Sequence, residues 1–193
     1  MKNMIKLASA VAVAFALTQT IQATPITGAI GFTGNVTYDT SSASTATEVT
    51  SWITPQVTAV SGTFASFITP IAPATFSSAI WAFNTATAIN NFWQAGGFSF
   101  QLLSSSIVAQ GGTAGVNGFV VVSGTGIVSG NGYTPTTLSW SFTSQDPKVG
   151  SNPDQWTFSA SANSTTVPDG GATVMLLGIA LSSLALLKKK LTA

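Results

Sequence analysis

The side chains best equipped for chemistry between residues 24 and 167 are four carboxylates, Asp39, Glu48, Asp146 and Asp154, and five indoles, Trp52, Trp81, Trp93, Trp140 and Trp156. Asp146 and Asp154 bracket the stretch DPKVGSNPD, and with Asn152 they make an all-oxygen ligand set of the kind calcium takes. The same stretch suits a plain hairpin loop, because Asp-Pro and Asn-Pro pairs start turns. Glycoside hydrolysis would need two carboxylates facing each other across a cleft, one of them with a raised pKa. Four acids offer few such pairs and none lies in a recognisable motif, so the chain is read as a non-enzyme with no cofactor, and a secreted hydrolase is the least favoured alternative. Trp52, Trp81 and Trp93 are candidates for stacking against sugar rings, whereas Trp140 and Trp156 alternate with apolar neighbours and read as core.

Composition narrows the chemistry further. The 193 residues include no Arg, no His and no Cys, and only 6% are charged, against roughly a quarter in ordinary soluble domains. The commonest general base, the guanidinium clamp, the thiol nucleophile and disulfide staples are all missing. Charge is also unevenly placed. Lys2 and Lys6 stand at one end, Lys188, Lys189 and Lys190 at the other, and only Lys148 faces the four central carboxylates. A polyanion has nothing to pair with in that region, so nucleic acid is excluded as a partner.

The elements that must position these groups are strands. Alternation at period two places Leu138, Trp140 and Phe142 on one face of TLSWSFTS, and Trp156, Phe158, Ala160 and Ala162 on one face of QWTFSASA. GGFSFQLLS repeats the pattern with Phe98, Phe100 and Leu102. NGFVVVSGTGIVSGNGY reads as a strand pair or one bent strand, with a bulge suggested at Gly124 and Gly126 and a turn at GNG. Residues 30–38, 48–53, 56–64 and 75–83 are further candidates. Eight or nine strands divided by Gly, Pro, Asn and Ser predict an all-β domain, an antiparallel β-sandwich or jelly-roll-like barrel, over residues 24–166. Residues 39–47, DTSSASTAT, read as its most loop-like stretch.

The two ends carry addresses. A basic start, an apolar stretch over residues 7–17 and small residues up to Ala23 form a secretory signal peptide over residues 1–23, cleaved after Ala23. At the other end Val167, Pro168, Asp169, Gly170 and Gly171 precede an apolar run over about residues 172–187 and then Lys188, Lys189 and Lys190. In a helix that run covers roughly 25 Å, slightly less than a hydrocarbon core, and snorkelling lysines close the gap. Lysines favour the cytoplasmic side, so they act as the membrane stop and the body lies outside.

This ending resembles the PEP-CTERM sorting signal read by exosortases in Gram-negative bacteria that make exopolysaccharide. It is similar to the V-P-D-S-G variant, with Gly170 where that variant has Ser. The resemblance implies an exosortase-type partner, a sorting signal over residues 167–193, a membrane helix that anchors the precursor, processing near Pro168 and a final place at the cell surface or in the extracellular matrix. Exopolysaccharide is a further implied partner. The expectation is an exported, non-enzymatic surface or matrix protein, with a carbohydrate-binding module as the alternative.

Overall fold

The computed structural model describes residues 24–147 and 156–164; residues 1–23, 148–155 and 165–193 lie outside the described residues. Among the described residues nine strands follow in order: β1 (Ala29–Tyr38), β2 (Glu48–Val60), β3 (Thr75–Phe76), β4 (Trp81–Ala82), β5 (Ile89–Ala95), β6 (Phe98–Gly111), β7 (Phe119–Gly130), β8 (Tyr133–Gln145) and β9 (Trp156–Ser164). One 3-10 helix, Gly62–Ser66, interrupts them. Every strand pair is antiparallel, in the order β3-β5-β6-β7-β8-β9-β1-β2-β4.

All nine strands belong to one curled sheet, where a sandwich or jelly roll was expected. Its ends meet. Gln56 of β2 bridges to Pro73 in the segment entering β3, and Thr85, just past β4, bridges to Ser105 of β6. The Val57 N–H donates to the Ala72 carbonyl at 2.9 Å, and Thr85 and Ser105 exchange backbone bonds at 3.0 and 2.9 Å. Long strands make the curling possible, because twist accumulates along them and bulges bend them. In β6 the register with β7 slips between Leu102 and Ser104 and again between Ile107 and Ala109.

Two expected boundaries moved. Residues 48–53 and 56–64 are one strand, β2, up to Val60, which turns at Thr54 (φ +45°) ahead of Pro55 and continues. The expected strand over residues 75–83 survives only as β3 and β4, the short pieces that close the ring. Strand β5 was not foreseen, because Phe92 and Trp93 are both buried around a register break at Asn91 (φ +50°), which erases the period of two.

The interior is an aromatic cluster. The Trp140 ring lies 5.2 to 6.4 Å from those of Phe32, Phe76, Trp81, Phe92 and Phe100. Burying each such ring is worth about 1.5–3 kcal/mol, so this cluster supplies much of the stability that a disulfide-free chain needs. Strand β7 sets Gly124 opposite Trp140 and Gly126 opposite Leu138, and at Gly126 it leaves room for a ring of the cluster. A Cβ on Gly126 would drive into the Phe100 ring and the Gln101 carbonyl. The outer face is hydroxyl-rich: Ser139, Ser141 and Thr143 of β8 lie beside Asn163, Ser161 and Ser159 of β9.

Candidate functional site

The two ends of the closed sheet differ in chemistry. At one end β8 runs into Asp146, whose N–H donates to the Gly118 carbonyl at 2.7 Å. Its carboxylate collects four donors. Oδ1 accepts the Ala43 N–H at 2.7 Å and the Trp156 indole N–H at 3.1 Å, and Oδ2 accepts the Ser42 hydroxyl and the Gly115 N–H, both at 2.7 Å. One side chain thereby ties the β1–β2 connection, the β6–β7 connection and the first residue of β9 together. A Cβ at position 118 would strike both the carboxylate and the Ser42 hydroxyl, so a larger residue than glycine there must displace the clamp. Burial pushes the Asp146 pKa up, but the bonds from Ser42, Ala43, Gly115 and Trp156 outweigh it and hold the group below the usual carboxylate range.

That geometry makes Asp146 a structural clamp. A carboxylate offers about four lone-pair sites, and loop donors already use all four. Asn152 and Asp154, the co-ligands that the calcium reading expects beside Asp146, lie outside the described residues. Among the described residues no group of three or more acids gathers. Asp39 repeats the device on a smaller scale, accepting the Thr47 N–H at 3.0 Å, the Thr47 hydroxyl at 2.6 Å and the Glu48 N–H at 3.3 Å. Burial again works against its ionised form, and the three loop bonds again win. Gln110 completes the arrangement by donating from Nε2 to the Ala43 and Ala46 carbonyls at 2.9 and 2.7 Å. The loop-like stretch over residues 39–47 is thus held in place by three polar side chains from β6 and the strand ends.

The tryptophans expected to serve as sugar platforms are packed inward. Trp81 is 1% exposed and Trp93 is fully buried, so neither presents a ring face to a ligand; the platform reading at these two positions is corrected. The Trp81 indole donates to the Ser105 hydroxyl at 3.1 Å, and Trp93 stacks on Phe100 at 5.3 Å. Trp52 is half-buried, stacked 4.1 Å from Phe76 and nearly parallel to Trp81 at 5.9 Å. Among the described residues the indole N–H groups of Trp52, Trp93 and Trp140 meet no acceptor, and aromatic faces surround them, which offers weak N–H···π contacts in place of a full bond. The period of two in IWAF could have placed Trp81 and Phe83 inside. Nothing in INNFWQA signals the depth of Trp93.

The opposite end of the sheet receives both ends of the body. The Thr134 N–H donates to the Thr24 carbonyl at 3.1 Å, and the Ile26 N–H to the Thr136 hydroxyl at 2.9 Å. At the other terminus the Ser164 N–H donates to the Gly28 carbonyl at 2.9 Å, and the Gly28 N–H returns a bond to the Ser164 hydroxyl at 2.8 Å. Ser164 is the last residue of β9, and from residue 166 to residue 191 the chain matches the family model described as the VPDSG-CTERM motif. The chain carries a VPDSG-CTERM sorting signal.

The VPDSG-CTERM signal is a PEP-CTERM-like exosortase sorting signal, and it implies an exported protein processed by an exosortase-type enzyme. It is consistent with a cell-surface or extracellular location. No curated protein and no solved structure matches this chain. Val167, Pro168, Asp169, Gly170, Gly171 and the lysines Lys188, Lys189 and Lys190 fall inside the matched stretch; with Ala23, they lie outside the described residues. Among the described residues no helix is long and apolar enough to cross a membrane; the apolar run over residues 172–187 lies beyond them.

Proposed function

We propose that this chain is the precursor of an exported, non-enzymatic cell-surface or matrix protein. Residues 172–187 hold it in the inner membrane with the lysines inside, and an exosortase-type enzyme releases the body by cutting near Pro168. The observation that carries this reading is the VPDSG-CTERM match, which begins at residue 166, directly beyond the last residue of β9. The arrangement of the ends supports it. Gly28 and Ser164 are hydrogen-bonded to each other, so the N-terminus that cleavage after Ala23 would leave stands beside the root of the sorting segment. Asp39 and Asp146 are engaged by loop donors, which is the arrangement of structural carboxylates.

The test is the intact mass and location of the mature protein, compared with Pro168→Ala and with a host lacking the processing enzyme. Both changes are expected to leave a longer, membrane-bound form. Equal mass and equal location in all three would overturn processing at this site.

A further inference from the structure

The end of the sheet that holds Thr24 and Ser164 is also its apolar end, whose one charge is the α-amino group that cleavage after Ala23 would give Thr24. The segment after the 3-10 helix, residues 67–73, runs as Phe-Ile-Thr-Pro-Ile-Ala-Pro from this end along the side of β2, where Pro73 bridges to Gln56, with Phe67 45% and Ile71 77% exposed. Phe67 is held edge-on against Phe98 at 5.5 Å and Tyr133 at 6.1 Å, so its ring is presented by a fixed support. Ile71 is held by its N–H, which donates to the Val57 carbonyl at 2.8 Å. It adopts φ +70°, a conformation that a β-branched residue takes only under strain. An isoleucine both strained and open to water gains nothing from the body itself.

Charge is sorted the same way. Asp39, Glu48 and Asp146 cluster at the opposite end, around the start of β2 and the end of β8. The residues of the apolar end, 24–28, 61–73, 96–97 and 130–136, include no ionisable side chain other than the Tyr133 phenol. The remaining exposed apolar side chains, Ile80, Val108 and Val116, are separate from one another in sequence and belong to the half that holds the carboxylates.

We propose that this end docks on the outer surface of the bilayer that holds the sorting segment, with Phe67 and Ile71 entering its interfacial layer. The inference rests on the anchored precursor described above. Only residues 165–171 separate Ser164 from the apolar run at Ala172, and fully extended they reach about 25 Å. The apolar end is therefore leashed beside the membrane, whose polar layer is roughly 5–8 Å deep on each side. Aromatic and aliphatic side chains favour that layer, and the carboxylates of the body stand at the far end, so the clamped, acidic end faces outward; the tether itself carries Asp169. Docking of this kind sets the height and tilt of the body and hence how the Pro168 region is offered for cutting.

The chain has no cysteine, so single substitutions can be labelled one at a time. The full chain is reconstituted into phosphatidylethanolamine–phosphatidylglycerol vesicles with an environment-sensitive fluorophore at Ile71→Cys, Thr69→Cys, Val116→Cys or Leu177→Cys, and quenched by lipids carrying a shallow nitroxide. Labels at residues 69 and 71 are expected to shift to the blue and lose most of their emission, the Leu177 label to report hydrocarbon, and the Val116 label to stay aqueous. A quenched Leu177 label with aqueous labels at 69 and 71 overturns docking while leaving the anchor intact. An aqueous Leu177 label overturns the anchor, and docking with it. Labels at 69 and 71 that are shielded from water yet untouched by lipid nitroxides are covered by another protein molecule, which also overturns a lipid partner.

Discussion

At Asp146 a single carboxylate satisfies donors from two connections and a strand end, so its removal is felt by all of them at once. Asp146→Asn keeps the shape but turns an amide donor toward groups that are themselves donors. A loss of about 2–3 kcal/mol is expected, read as a lower urea midpoint with unchanged m-value. Gly118→Ala should reproduce much of that loss without touching the carboxylate, since the new methyl group displaces it. The pH dependence follows from the direction of the shifts. Asp39 and Asp146 both have folded pKa values held below their ordinary value. Their contribution is present above the unfolded pKa and disappears as pH falls through the folded one, so stability should drop below about pH 4. Urea unfolding from pH 6 to pH 3 checks this; a body carrying Asp39→Asn and Asp146→Asn should show a flatter profile, and an unchanged slope would contradict the clamp. At this scale the sequence was only partly legible. It marked Asp146 as a residue of interest through its neighbours, but the partners that define its role lie 10 to 104 positions away in the chain.

Strands show a sharper division. Where one face packs inward without interruption, as in β8 and β9, alternation alone located Leu138, Trp140, Phe142, Phe158 and Ala162 in the core, and all five are buried. Where a residue at positive φ breaks the period, as at Thr54 and Asn91, the same reasoning cut β2 in two and missed β5. Gly124 and Gly126 matter in β7 for another reason: the extra residue lies in β6 opposite, and the glycines admit its close approach, Gly124 against the Ser104 carbonyl and Gly126 against the Gln101 carbonyl and the Phe100 ring. Gly126→Ala should cost about 1–3 kcal/mol by overpacking, measurable in thermal or urea unfolding. The indoles make a second comparison possible. Trp81→Phe strands the Ser105 hydroxyl, whereas Trp140→Phe removes a donor that has no acceptor among the described residues. Trp81→Phe is therefore expected to be the more destabilising of the pair by about 1 kcal/mol, the ordinary net worth of one hydrogen bond. Equal losses would show that ring volume alone decides.

For the whole molecule, closure has a consequence for truncation. β9 lies between β8 and β1, near the middle of the strand order. A chain ending at Ser164 retains the Gly28 bonds and should unfold at the same midpoint as the processed protein. A chain ending at Gln145 leaves the edges of β8 and β1 unpaired, and is expected to aggregate rather than give a cooperative transition. Circular dichroism with size-exclusion chromatography distinguishes the two.

The sequence by itself determined the all-β class, the inward rows of the regular strands and the sorting signal, because each is written in contiguous residues: a period of two, or a motif followed by an apolar run and lysines. Only the tertiary structure decided that the strands close into one curled sheet, that Asp146 ties loops together, that Trp81 and Trp93 are core, and that Thr24 and Ser164 share the apolar end. Each of these depends on which distant strands become neighbours. That choice is made by ring packing and register across the whole sheet, and no local stretch of sequence contains it.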